Sequence, residues 1–328
     1  MGIEELVQAY AHDVYPHIMA PLQWIVDRSP VALTDAIAGL GVIGVAGIVG
    51  FRHRVTRWVR DHTRAFAVSG ALLAAYAAHV FVPYARLPSA VALRDPPRAA
   101  DANLHTGAIA RSFQELAGYY DSEAPLPSDA EICAVVKEFF VRHGEPVIQT
   151  AGVVRDSLAV RLFRGVTLTR GFTNPLLLHR EVDTPLQQDS YLRTFAVAHE
   201  FAHQQGFGQE RYAQFIAYAS LMESGDPRMR GAALVERIMK EYVALKRGGV
   251  AVANVAPYLP RRVLRDYLVS IKQPLPEITG RASQGADRLY DAYLESTGQS
   301  VTGEAYADDF LDLVFAWERS AAGSSGMP

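Results

Sequence analysis

Cysteine is all but missing from this chain: its 328 residues include one, Cys133. A lone thiol excludes an intramolecular disulfide framework and any thiolate-rich zinc site. Cys133 stands among Ile132, Val135, Val136 and Phe139, an apolar periodicity that predicts a buried core thiol. An excess of basic charge is missing too, since 32 Lys+Arg stand against 35 Asp+Glu for a net charge of −3. Nucleic-acid binders ordinarily carry a basic excess or stripe, so no nucleic acid is expected as a partner. Internal repeats and long low-complexity tracts are absent as well. With 49% apolar and 20% charged residues, the composition is that of a folded chain.

Long apolar runs, by contrast, are present. Residues 36–51 read AIAGLGVIGVAGIVGF and residues 65–85 read AFAVSGALLAAYAAHVFVPYA, neither containing Asp, Glu, Lys or Arg. Residues 31–34 extend the first run backwards across Asp35. Each approaches the ~20 apolar residues that cross a bilayer core. Gly41, Gly44, Gly47 and Gly50 recur along the first run, a spacing that suits close helix–helix approach in lipid better than a water-soluble helix. Neither run has the flanks of a signal peptide.

Two transmembrane helices are therefore expected within residues 31–85. The intervening loop, residues 52–64, carries Arg52, Arg54, Arg57, Arg60 and Arg64 against Asp61, a net charge of +4. Residues 1–30 carry Glu4, Glu5, Asp13 and Asp27 against Arg28, a net charge of −3. The positive-inside rule puts the loop in the cytoplasm and both flanks outside. The expected protein is integral to the cell (inner) membrane, with residues 1–30 and the long C-terminal part extracytoplasmic. Asp35 and His79 then fall near the outward ends of the spans, where polar groups reach the interface.

Residues 86–128, rich in Pro, Ala and Arg, read as a juxtamembrane connector with a helical stretch around Ala108 to Tyr119. Ser128 or Asp129 can cap a helix running to about His143, where Gly144 and Pro146 stop it. Residues 158–169 alternate well enough for one or two short strands, and Gly171 to Pro185 reads as loop or edge strand. From Tyr191 onward the pattern is almost wholly helical, ending in a frayed tail over residues 320–328. The fold expected is α+β and mainly α-helical, with a domain over residues 129–319 that holds a small β-sheet.

That domain contains the chemistry. His199, Glu200 and His203 form HExxH, on a helix that Asp189 or Ser190 can cap and whose apolar face runs through Leu192, Phe195, Ala196 and Ala202. At i and i+4 both imidazoles project from one face, so two nitrogens can reach one Zn²⁺. Glu200 is placed to act as general base on the water that such an ion holds. A catalytic zinc needs a third protein ligand and an open position. Gly206 can end the helix in a left-handed conformation and reverse the chain. Glu210 then opens a second helix, where Glu210, Ala213, Gln214 and Ala217 share a face. Glu210 is the candidate third ligand, or else a solvated carboxylate at a helix start, where acids are favoured anyway. Tyr306, Tyr293 and Tyr290 are candidates to stabilise an oxyanion, or ordinary core tyrosines; His179 is a further candidate, or a loop histidine. GFTNPLLL, from Gly171, could form an edge strand that pairs with an extended peptide.

HEFAHQQGFGQERYAQFIAY also resembles the signature HELAHQxGFxxExEANFLAY of a bacterial domain-of-unknown-function family of multi-pass membrane proteins. YPHIMAPLQWIVDRSPVALTDAI, GFTNP and DAYLESTGQSVTGEAY resemble further segments of that family, so the likeness covers most of the chain. The family is regarded as candidate zinc metallopeptidases of the gluzincin type, with a zincin-like HExxH helix and a glutamate in an E-x-x-A helix. The resemblance implies zinc held by His199, His203 and Glu210, with Glu200 as the catalytic glutamate. Two departures stand out: Tyr212 occupies a position that is often acidic, and Gln214 one that is often Asn. Members usually carry one more hydrophobic segment in front, which leaves a further span ahead of Met1 open.

The expected activity is thus that of a membrane-anchored zinc metallopeptidase acting on a peptide or protein substrate. Two rivals are a non-catalytic zinc-binding or partner-recruiting module and a membrane scaffold. An intact Glu200 argues against the former, and the scarcity of polar residues in the spans against a transport role for the latter.

Overall fold

Ser128 starts a helix for reasons visible atom by atom. Its hydroxyl accepts from the Glu131 backbone N–H at 3.4 Å, while the Glu131 carboxylate accepts from the Ser128 backbone N–H at 2.7 Å. This reciprocal capping box satisfies two N–H groups that a helix start leaves without partners. The helix runs over Asp129–Arg142 and stops at His143, with Gly144 at a φ of +69°. Ile132, Val136, Phe139 and Phe140 form its buried stripe, together with Cys133, whose thiol burial pushes up to about 12. The cysteine is the core residue its neighbours predict.

The structure, a computed structural model, describes residues 3–28, 39–40, 43, 49, 102–120, 125–148, 154–156, 172–173, 182–184, 191–247 and 303–324. Helices α1 (Ile3–Ala9) and α2 (Tyr15–Asp27) flank a π-helical turn, Tyr10–Val14. Then come α3 (Ala102–Tyr120), α4 (Asp129–Arg142), β1 (Val154–Asp156), β2 (Phe172–Thr173), β3 (Val182–Thr184), α5 (Tyr191–Gln204), α6 (Glu210–Glu223), α7 (Pro227–Arg247) and α8 (Gly303–Ser324). The described chain is mainly helical with one small sheet. No helix among the described residues is long and apolar enough to cross a membrane. The runs expected to do so, 36–51 and 65–85, lie outside the described residues apart from positions 39, 40, 43 and 49, as does the loop 52–64.

Gly171 to Pro185, expected as loop or edge strand, contains an outer strand, β2, and a second strand, β3. The strand order is β1-β3-β2, with β3 central, parallel to β1 and antiparallel to β2. Strands of two and three residues are too short for alternation to reveal them. Helix α8 continues through residues 320–324, into the stretch expected as a frayed tail. Ala321 and Ala322 favour helix, and the Ser320 hydroxyl donates to the Trp317 carbonyl at 2.7 Å. The strands expected over 158–169 lie outside the described residues.

Helix α5 lies at the centre, packed by α4, α6, α7 and the sheet. Nearly every one of its side chains is buried, from Tyr191 to Gln204. Gly231 on α7 allows a close approach there: a Cβ at that position would meet Tyr191 Cε1 at 2.8 Å. At the other edge of α4, the Arg193 guanidinium pairs with the Asp129 carboxylate, one bond measuring 2.7 Å. Helix α8 docks through Phe310, Leu311 and Val314 and through a buried charge. Arg237 of α7 donates to Glu318 of α8 at 3.0 Å and to the Tyr218 hydroxyl of α6 at 3.0 Å, with Glu241 3.7 Å away. A guanidinium so buried is tolerated because it is multiply paired. Three helices behind the site are thereby held to one another.

Candidate metal centre

The end of α5 explains how its histidines come to face a carboxylate. The Gly206 N–H donates to the His203 carbonyl at 2.9 Å, and the Phe207 N–H donates to the Ala202 carbonyl at 3.3 Å. Those two bonds define a Schellman motif, with Gly206 in the left-handed position at a φ of +101°. Phe207, fully buried, stacks on Phe140 of α4 with ring centroids 5.5 Å apart and planes 4° from parallel. Gln205, also fully buried, accepts from the Ile148 N–H at 2.8 Å. Ile148 in turn packs against Tyr15 and Met19 of α2. The reversal is thus clamped from two sides, and α6 begins four residues after Gly206, at Glu210 itself.

His199 and His203 stand one turn apart with rings nearly perpendicular, centroids 4.6 Å apart. Their Nε2 atoms are 3.2 Å apart. Glu210 turns one oxygen to each: Oε2 is 3.1 Å from His199 Nε2 and Oε1 is 3.5 Å from His203 Nε2. Donors on a tetrahedral zinc at 2.0–2.1 Å lie about 3.3 Å apart. The three contacts match that spacing, so the residues fit such an ion. These three are also the one group of His, Cys, Asp and Glu among the described residues that gathers ligand atoms within 4.8 Å of one another.

Tautomer chemistry points the same way. His203 Nδ1 lies 2.6 Å from the Phe207 carbonyl oxygen. A carbonyl only accepts, so Nδ1 carries the proton and a neutral His203 presents a bare Nε2 lone pair to the common point. His199 Nδ1 is buried and has no hydrogen-bond partner among the described residues.

The electrostatics are those of a coupled cluster. Burial alone would push the His203 imidazole down, but the Glu210 carboxylate, with smaller help from Glu200 and the Phe207 carbonyl, outweighs it and holds its pKa above the ordinary value. Burial would likewise raise Glu210, yet the two imidazoles hold its carboxyl well below the usual carboxylate range. Glu200, 7% exposed, points from a different angle of the helix and touches this cluster through its charge.

Tyr306 lies on α8, while Tyr290, Tyr293, His179, Asp189 and Ser190 lie outside the described residues. Two acids that could have replaced Glu210 are engaged away from the histidines. Glu223 pairs with Arg142 and with His143 at 3.1 Å, and Glu236 pairs with Lys240 at 3.4 Å. Tyr212 accepts from Arg211 at 3.1 Å under a guanidinium 4.7 Å above its ring. The acid that meets the histidines is therefore at position 210, not 212. Sequence reasoning missed the Phe207 carbonyl. Its signal was Gly206 itself, because a left-handed stop three residues after the last histidine folds the following backbone onto it.

No curated protein and no solved structure matches the chain. The profile of a family described as "Protein of unknown function (DUF3810)" matches residues 10–314, and the chain belongs to that family.

Proposed function

From the HExxH pattern and the cluster on α5 and α6, we propose that the protein is a membrane-anchored zinc metallopeptidase whose domain over residues 129–319 acts outside the cytoplasm. The observation that carries the reading is the convergence of His199, His203 and Glu210 on one point, with Glu200 buried beside them. A zinc ion there would act as a Lewis acid on a peptide carbonyl and lower the pKa of a water. The rest falls to the chain. His199, His203 and Glu210 bind, with the Phe207 carbonyl fixing the tautomer of His203. Glu200 takes a proton from the attacking water at a carboxylate oxygen and delivers it to the departing amine. An extended substrate would pair with β2, an outer strand of the described sheet that packs against α5. The membrane anchor rests on the two uncharged runs of the sequence, and the orientation on the basic loop between them.

The test is Glu200→Gln on the full chain with a peptide library as substrate. Gln keeps size and shape but cannot accept the proton. Zinc should stay bound while hydrolysis falls roughly 10²–10⁴-fold. Wild-type turnover in that variant removes the general-base assignment. Stable zinc with no peptide cut by the wild type favours a non-catalytic zinc module.

A further inference from the structure

His199 Nδ1 and Gln214 Oε1 are among the buried polar atoms with no hydrogen-bond partner among the described residues. Gln214 is 7% exposed and lies on α6. Buried polar groups without a hydrogen bond are rare in native proteins, so each asks for an explanation. Their positions supply a common one. Gln214 follows Glu210 by four residues and shares its helix face, the face that carries Glu210 to both histidines. Ala213 and Ala217, fully buried, keep α6 close to its neighbours. The chain reverses over residues 205–209, α6 packs against α5, and its first residue, Glu210, reaches His199 at 3.1 Å, with Gln214 one turn further along the same face.

Chemistry then fixes the roles. A cation on His199 Nε2 leaves the ring's proton on Nδ1, a donor that needs an acceptor. An amide oxygen is such an acceptor, and Gln214 Oε1 is an amide oxygen in want of a donor. We propose that Gln214 is the positioning residue for His199, accepting its Nδ1–H in the metal-loaded protein through a side-chain rotation. The pair complements the Phe207 carbonyl on His203, so that each metal-binding imidazole has its orientation set by one acceptor, the first by a side chain and the second by backbone. This rests on the metal reading above.

The test uses the full chain, zinc-loaded, in wild-type form and as Gln214→Leu and Gln214→Glu. Competition with a chromophoric chelator should show Gln214→Leu binding zinc about 10–100-fold more weakly, with Gln214→Glu, which keeps the acceptor, within a few-fold of wild type. In protein with ¹⁵N-labelled histidine, the His199 Nδ1–H resonance should be protected from solvent exchange in wild type and lose protection in Gln214→Leu, while that of His203 stays unchanged. A packing role alone would not single out one imidazole proton. Wild-type affinity and an unaltered His199 signal in Gln214→Leu overturn the assignment and leave the metal site standing. If wild type takes up no zinc, the metal reading falls and this proposal with it. Should Gln214→Leu not fold, the wild-type spectrum decides: a His199 Nδ1–H exchanging as fast as an exposed imidazole refutes the bond.

Discussion

Gly206→Ala should damage stability and the metal site together. Gly206 holds a φ of +101°. An L-residue in a left-handed conformation costs roughly 1–2 kcal/mol. If the backbone relaxes instead, the two Schellman bonds at 2.9 and 3.3 Å weaken, each worth about 0.5–1.5 kcal/mol. Either route gives a loss of about 2 kcal/mol, which lowers a thermal midpoint by roughly 4–8 °C in a domain of this size class. Either route also moves the Phe207 carbonyl from its 2.6 Å contact with His203 Nδ1. Loss of such a partner weakens metal binding roughly 10–100-fold. Gly144→Ala is the control: Gly144 has a φ of +69° and ends α4 with a similar pair of bonds, from Gly144 N–H to Val141 and from Glu145 N–H to Phe140. It should lose comparable stability with zinc affinity unchanged. Differential scanning fluorimetry and chelator competition on both variants read the two quantities. Equal zinc affinity in Gly206→Ala and wild type would refute the coupling between the helix stop and His203.

Two further outcomes are expected. Arg237→Ala leaves Glu241, fully buried, without the cation 3.7 Å away and unhooks α8 from α6 and α7, so equilibrium urea unfolding should show a loss of about 3–5 kcal/mol; a loss under 1 kcal/mol would mean the network contributes little. For topology, a reporter fused after Ala85 should be active only outside the cytoplasm and one fused within residues 52–64 only inside, and the reverse pattern would move the metal site into the cytoplasm.

How far the sequence could be read depended on whether its signals were local. Ser128 and Gly144 announced both ends of α4, because capping and left-handed stops act over a few neighbouring residues. HExxH put two imidazoles on one face for the same reason, and Gly206 with E-x-x-A spacing brought Glu210 within 3.1 Å of His199. Helix α3 was anticipated around 108–119 and spans 102–120, since its first turns carry little apolar periodicity. What escaped was contact between distant segments. Nothing in the pattern around Phe140 indicates that it stacks on Phe207, or around Ile148 that its N–H meets Gln205. The Arg237–Glu318 pair joins residues 81 apart and was equally invisible. Of the short strands, β2 falls within the stretch expected as loop or edge strand, whereas β1 and the central β3 escaped because pairing, not alternation, defines them.

The most direct measurement is zinc stoichiometry by mass spectrometry on purified wild type, His199→Ala and Glu210→Ala, with circular dichroism to verify folding. One zinc per wild-type chain, little in His199→Ala and markedly less in Glu210→Ala is the predicted result, because two donors hold the ion weakly. Folded wild type without zinc after equilibration, or full stoichiometry in both variants, would contradict a metal centre built from His199, His203 and Glu210.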